Sequence, residues 1–143
     1  CALPICELAT RLACEWTAHP DEAAEALAAL TPDGAPLVVE AAGTIPALRT
    51  AIGLVGPAGT ILCYGTYTDR SGELPFYDLY CKEIDLISTR ASRPRDMRAT
   101  LALAAAGAFD LPPLVSDRLS LDRAPEALEL SKKGALKVLM THS

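Results

Sequence analysis

Short runs of β-branched and aliphatic residues alternate along this chain with longer Ala-rich and Leu-rich segments whose apolar positions recur at helical spacing. That alternation predicts an α/β fold, a parallel sheet with helical crossovers. The helical period covers Pro4 to Ala13 and Asp21 to Leu30, where Ala23, Leu27 and Leu30 share a face. The turn Thr31-Pro32-Asp33-Gly34 ends the second helix. Leu37-Val38-Val39 is a continuous apolar run too short for a helix and reads as a strand, followed by Glu40-Ala41-Ala42-Gly43. Thr44 is placed to cap a helix whose Ile45, Leu48, Ile52 and Val55 form one stripe. Gly56-Pro57-Ala58-Gly59 is expected to close that helix, and Thr60 to Tyr64 makes a second strand stopping at Gly65.

A polar loop from Thr68 to Pro75 and a short amphipathic turn at Tyr77 to Cys81 precede a third strand, Ile84 to Ser88 or Thr89. Ser92 and Pro94 open a helix carrying Met97, Leu101 and Ala104 and closed by Gly107. Beyond Pro112-Pro113 the pattern changes to a strand-like Leu114 to Leu119, a helix near Asp122 to Lys132 and a last strand over Lys137 to Met140. Parallel strands joined through helices imply right-handed crossovers.

The length, 143 residues, suits one domain or a large piece of one. Half the residues are hydrophobic and 22% are charged, which is too apolar for a disordered chain. No apolar run approaches the ~20 residues of a membrane span, so no membrane partner is expected. A net charge of −5 is the wrong sign for neutralising phosphates, so nucleic acid is not an expected partner either. Five cysteines, Cys1, Cys6, Cys14, Cys63 and Cys81, stand at irregular gaps, with no CxxC or nearby His pair to frame a zinc site. Without a signal peptide or disulfide framework the expected compartment is the reducing cytoplasm, with the cysteines mostly small buried hydrophobes. The first residue is Cys rather than Met, and the chain is expected to begin inside a longer protein.

Ligands of open parallel sheets bind outside the carboxyl ends of the strands, which here are Glu40 to Gly43, Tyr64 to Thr66 and Ser88 to Ala91. These stretches are rich in small residues that allow a ligand close to the backbone, or that simply make turns. No GxGxxG or GxxxxGK[ST] loop is present, and Gly53, Gly56 and Gly59 follow a helix and read as its stop. Glu40 ends an apolar strand, where a carboxylate either positions a ligand group or caps neighbouring N–H groups. Four of the nine residues from Arg90 to Arg98 are Arg, which suits an anionic partner or a solvated face with Asp96 as counter-charge. His19 and His142 have no Ser, Cys or Asp constellation that would make either a general base, and no GxSxG elbow or HExxH helix is present.

The ordered set CELATRLACEW, LVVEAAG, ALRTAIGLVGPAGTILCYG, KEIDLISTRASRPRDM, APEALEL and ALKVLM resembles the C-terminal part of the zinc-type medium-chain alcohol and polyol dehydrogenases, from Pro4 to the end. The resemblance implies a partial Rossmann fold, with residues 1–110 the second half of a dinucleotide-binding domain and 111–143 a segment returning to the catalytic domain. It implies a nicotinamide cofactor, NAD or NADP, and hydride transfer from a small-molecule alcohol or polyol. It further implies a homo-oligomer of the full-length protein. The KEIDLISTRAS stretch points to sugar-alcohol or related secondary-alcohol substrates. By resemblance, Ala41, Ala42 and Gly43 touch the cofactor, and Tyr64, Gly65 and Thr66 lie along its nicotinamide side. Thr89, Arg90 and Ala91 match backbone that bonds the carboxamide, and Lys137 matches a basic residue reaching the pyrophosphate, with Gly134 one place off the usual spacing.

The chain departs from the family by lacking the glycine-rich first turn, the acidic residue ending the second strand, and the zinc-binding Cys and His residues. In the family all lie upstream, so zinc is expected only there, no residue of this chain is an expected catalyst, and the chain alone is expected to be inactive. Two other readings stand beside this one. One is a non-catalytic module binding a nucleotide or partner protein; the other is a truncated product with an unpaired edge strand near Leu37 to Glu40.

Overall fold

The computed structural model describes residues 3–142. The chain divides into two compact units, Cys1–Ala91 and Ser92–Ser143. In the first, helices α1 (Leu3–Arg11) and α2 (Ala23–Leu30) precede β1 (Ala35–Glu40), α3 (Ile45–Leu54), β2 (Val55–Cys63), α4 (Phe76–Cys81) and β3 (Asp85–Ser88). The strands form a parallel sheet in the order β1-β2-β3, leaving β1 and β3 as its edges. The α/β class, the parallel pairing and the helical crossovers agree with the sequence pattern.

The core of this unit is the face of α3 laid on the sheet. Thr44 caps the helix, its side chain accepting from Ala47 N at 3.3 Å, and Leu48, Ala51 and Ile52 are buried. They meet Val55, Ile61 and Cys63 of β2, with Val38, Tyr67, Leu74, Leu79 and Ile84 packed around them. Ile52 and Ile61 are fully buried, each contributing about 1.5–3 kcal/mol of apolar burial. The opposite face is open: Leu37 and Val39, alternating with Val38, are more than half exposed.

Gly56 to Gly59 do not close α3, as the sequence led us to expect. The helix ends at Leu54 and runs straight into β2 at Val55, and these glycines sit in a bulge between the pairs Ala35↔Val55 and Leu37↔Thr60. A Cβ on Gly56 would lie 2.3 Å from Asp33 O, so glycine is required there by the approach of another backbone. The carbonyls left by the abrupt helix end are taken by Lys82, whose Nζ donates to Ile52 O at 3.0 Å and Val55 O at 2.9 Å.

Other expectations are also corrected. Ala23 and Leu27 of α2 are half-buried, but Leu30 is 63% exposed; Ala24, Leu27 and Ala28 line the cleft against Gly53 to Val55. Of the cysteines, only Cys63 is buried among the described residues, Cys14 and Cys81 being exposed free thiols and Cys6 a half-buried residue that is not a free thiol. Cys1 lies outside the described residues.

The second unit holds α5 (Pro94–Ala105), β4 (Asp117–Ser120), α6 (Ala124–Lys132) and β5 (Val138–Thr141), with β4 and β5 parallel. Among its described residues Leu119 and Ala127 are buried. The strand expected from Leu114 begins only at Asp117, because the N–H-less prolines of Pro112–Leu114 set a short 3-10 turn. The expected apolar stripe of α5 is largely uncovered within this unit: Met97 and Leu101 are exposed and Ala104 half-buried. Arg93 and Arg95 both pair with Asp96, at 3.3 and 3.5 Å on exposed surface, so two of the clustered arginines share one counter-charge. No helix among the described residues is long and apolar enough to cross a membrane.

Candidate functional site

Parallel pairing in register sets the carboxyl ends of the three strands of the first unit side by side, with Glu40 opposite Cys63 and Cys63 opposite Ser88. The loops that leave them, Ala41 to Gly43, Tyr64 to Thr66 and Thr89 to Ala91, therefore start from adjacent points, where open α/β sheets bind ligands. Backbone bonds tie them together. The Glu40 carbonyl accepts from Tyr64 N at 2.8 Å and Gly65 N at 2.9 Å. The Cys63 carbonyl accepts from Thr89 N at 3.1 Å and Thr89 Oγ1 at 3.2 Å.

The first two loops touch backbone to backbone through glycine. A Cβ on Gly65 would lie 2.2 Å from Gly43 N, and one on Gly43 would lie 2.6 Å from Thr66 O. Gly43 also has φ +71°, in the left-handed region that costs other residues about 1–2 kcal/mol. Ala91, at the end of the third loop, adopts φ 57° without being glycine. Around the glycine contact Ala41, Ala42, Tyr64 and Thr66 are exposed, which makes a shelf of small side chains flanked by one aromatic ring.

Beneath the shelf lies Glu40, the one buried charged residue among those described, at 4% exposure. Its Oε1 accepts from Ala42 N at 2.7 Å and Gly43 N at 2.9 Å, and its Oε2 accepts from Gly43 N at 3.2 Å and from the Tyr67 hydroxyl. Of the two roles open to Glu40 from sequence, the structure shows capping of the loop N–H groups. Burial pushes the Tyr67 phenol well above its ordinary pKa, and its bond to Glu40 and then its contact with Cys63 push the same way. Tyr67 is therefore a neutral donor at neutral pH. Nothing in the local sequence marks it, because its partner lies 27 positions away.

The structure thus brings together Ala41, Ala42, Gly43, Tyr64, Gly65, Thr66 and Thr89, with exposed Arg90 and Ala91 continuing the third loop. Lys137 belongs to the second unit, exposed just before β5, with its backbone N donating to Ser116 Oγ at 3.3 Å. His19 pairs with Asp21 at 3.2 Å on exposed surface, away from the three strand-end loops in sequence. Among the described residues no cluster of three or more His, Cys, Asp or Glu side chains is placed to hold a metal ion. The shelf offers small exposed side chains at adjacent strand ends.

The profile of the zinc-binding dehydrogenases matches residues 6–106. A 5-exo-hydroxycamphor dehydrogenase of Pseudomonas putida is 36% identical over 107 residues, 72% of this chain and 29% of that protein. A sorbitol dehydrogenase of Bombyx mori is 28% identical over 122 residues, 85% of this chain and 34% of that protein. The chain thus spans about a third of the length of the curated relatives it matches. Among solved structures, a zinc-binding dehydrogenase from Sinorhizobium meliloti 1021 bound to NADP superposes with a TM-score of 0.81 at 26% identity, covering 96% of this chain and 42% of that one. With a parallel sheet, strand-end loops and a profile match over most of its length, the chain belongs to the zinc-binding dehydrogenase family.

Proposed function

We propose that this chain is the C-terminal cofactor-binding portion of an NAD(P)-dependent alcohol or polyol dehydrogenase that oxidises a secondary alcohol to a ketone. Residues 1–110 supply the second half of the dinucleotide site, and residues 111–143 return to the catalytic domain. The observation that carries the reading is the glycine contact between the Ala41 to Gly43 and Tyr64 to Thr66 loops at adjacent strand ends. A surface that small, at that place in a parallel sheet, suits the close approach of a dinucleotide to backbone. The NADP of the Sinorhizobium meliloti neighbour supports the cofactor class, and the hydroxycamphor and sorbitol relatives support the substrate class.

In this reading Ala41, Ala42 and Gly43 form the floor of the site, and Tyr64, Gly65 and Thr66 orient the nicotinamide end. Thr89, Arg90 and Ala91 offer backbone to its carboxamide, and the role of Lys137 toward the pyrophosphate rests on the sequence resemblance alone. The bound cofactor supplies the hydride acceptor. This chain's residues hold and orient it and keep its reactive face at the strand ends, while acid-base and metal chemistry come from elsewhere in the full protein.

The test begins with the intact mass of the protein recovered from its source, followed by titration with NADH and NADPH and an assay of alcohol-dependent reduction of NAD+ and NADP+. We expect saturable binding of one reduced cofactor and turnover of a secondary alcohol by the intact protein, and no turnover by the 143-residue chain. Saturable dinucleotide binding by the 143-residue chain, with no alcohol oxidation by the intact protein, would replace this reading with a non-catalytic binding module.

A further inference from the structure

Glu40 is tied to both loops of the candidate site at once. Its carbonyl holds Tyr64 N and Gly65 N of the second loop, while its carboxylate holds Ala42 N and Gly43 N of the first. Tyr67, three residues beyond Tyr64, closes the circuit by donating its hydroxyl to the same carboxylate. Tyr67 itself packs against the buried core cluster of this unit and contacts Cys63, which anchors that end. A buried carboxylate is costly to hold without partners, and among the described residues no Lys, Arg or His forms an ion pair with it. Its charge is met instead by two backbone N–H groups and one phenol. Charge-assisted bonds of this kind are short and strongly directional, so they set loop position more narrowly than neutral ones.

We infer that Glu40 and Tyr67 are positioning residues for the cofactor, a carboxylate and phenol latch that sets the separation of the two strand-end loops and so the shape of the cleft between them. The inference rests on the dinucleotide-binding reading above. Neither side chain needs to touch the ligand. The carboxylate is buried beneath the shelf and Tyr67 is half-buried, while the surfaces presented upward belong to Ala41, Ala42, Tyr64 and Thr66. Loosening the latch lets the Gly43 and Gly65 backbones part, and the ligand then has to reassemble the site as it binds. A latch of this kind alters affinity as well as stability, which separates it from a bond that merely holds the fold.

The experiment uses the intact protein and four forms of it: parent, Glu40→Ala, Glu40→Gln and Tyr67→Phe. NADH is the probe, with NADPH alongside, and hydrogen-exchange mass spectrometry follows the backbone at 41–43 without ligand. Circular dichroism establishes which variants are folded. For folded variants we expect Glu40→Ala to lose about tenfold in NADH affinity, Tyr67→Phe to lose less, and Glu40→Gln to recover part of the loss through its amide oxygen. Exchange at 41–43 should rise in the same order. Because Tyr67→Phe removes one oxygen and leaves the ring, it decides the matter even where Glu40→Ala fails to fold. Parent-like affinity and exchange in a folded Tyr67→Phe variant would overturn the latch while leaving the dinucleotide reading intact. A parent protein that binds neither NADH nor NADPH would overturn both.

Discussion

Replacing Gly65 with Ala tests whether the two strand-end loops really require backbone contact. The added methyl would lie 2.2 Å from Gly43 N, 2.5 Å from Gly43 Cα and 3.0 Å from the Ala42 carbonyl carbon. All three are backbone atoms, so no side chain swings aside, and relief requires the loops to separate by about 1 Å or more. The same displacement draws Ala42 N and Gly43 N, now 2.7 and 2.9 Å from Glu40 Oε1, beyond hydrogen-bonding range. Overpacking alone costs about 1–3 kcal/mol, and each bond to a charged acceptor contributes about 1.5–3 kcal/mol. If one of the two bonds survives relaxation, the variant loses about 2.5–6 kcal/mol, a large share of the 5–15 kcal/mol typical of a domain.

Urea denaturation of the 143-residue chain, followed through Trp16, its one tryptophan, reads this in the unit concerned. The midpoint should fall with the slope unchanged. Gly53→Ala supplies the matching control. Gly53 lies in α3 with nothing within 4 Å of an added Cβ, so the same substitution should stabilise by about 0.5–1 kcal/mol through helix propensity. Opposite signs from one chemical change separate close contact from the general backbone freedom of glycine. A Gly65→Ala variant within about 0.5 kcal/mol of the parent would refute the reasoning.

Two further outcomes follow from the same unit. Lys82→Met keeps the aliphatic stem but leaves the carbonyls of Ile52 and Val55 without their donor, and should cost about 2 kcal/mol in the same assay; a change near zero would show that water replaces the ammonium. Tyr67→Phe should alter the alkaline limb of stability. The phenol of the folded chain stays neutral above the pH, about 10, at which it ionises in the unfolded chain. Its contribution is therefore complete below about pH 10 and declines as pH rises toward the folded value, by at most about 1.4 kcal/mol per pH unit. The stability difference between parent and Tyr67→Phe should narrow above pH 10, and curves that stay parallel there would contradict the assignment.

Much of the fold was legible in local pattern. The cap at Thr44, the stripe of Leu48 and Ile52, and the existence of strands leading to Glu40 and to the Tyr64 loop follow from residues that lie next to one another in the chain, although β2 ends at Cys63, one residue before the expected Tyr64. Val55 belonged to the same apolar stripe yet opens β2, because a buried Val satisfies helix and strand patterns equally over one turn. The candidate site was legible as a set of places, the three strand ends. Its organisation was not: Glu40 carried two open readings, and Tyr67 carried none.

The sequence by itself therefore determined the α/β class, the order of the elements and the stretches from which a ligand site is built, since hydrophobic period, caps and turn residues act over a few neighbouring positions. Tertiary structure alone decided that Gly56 serves a backbone approach to Asp33, that Lys82 caps a helix nearly thirty residues earlier, and that Glu40 and Tyr67 meet beneath the strand-end loops. Those relations join groups far apart in the chain. They come into being only when parallel pairing fixes the register that places one strand end beside the next.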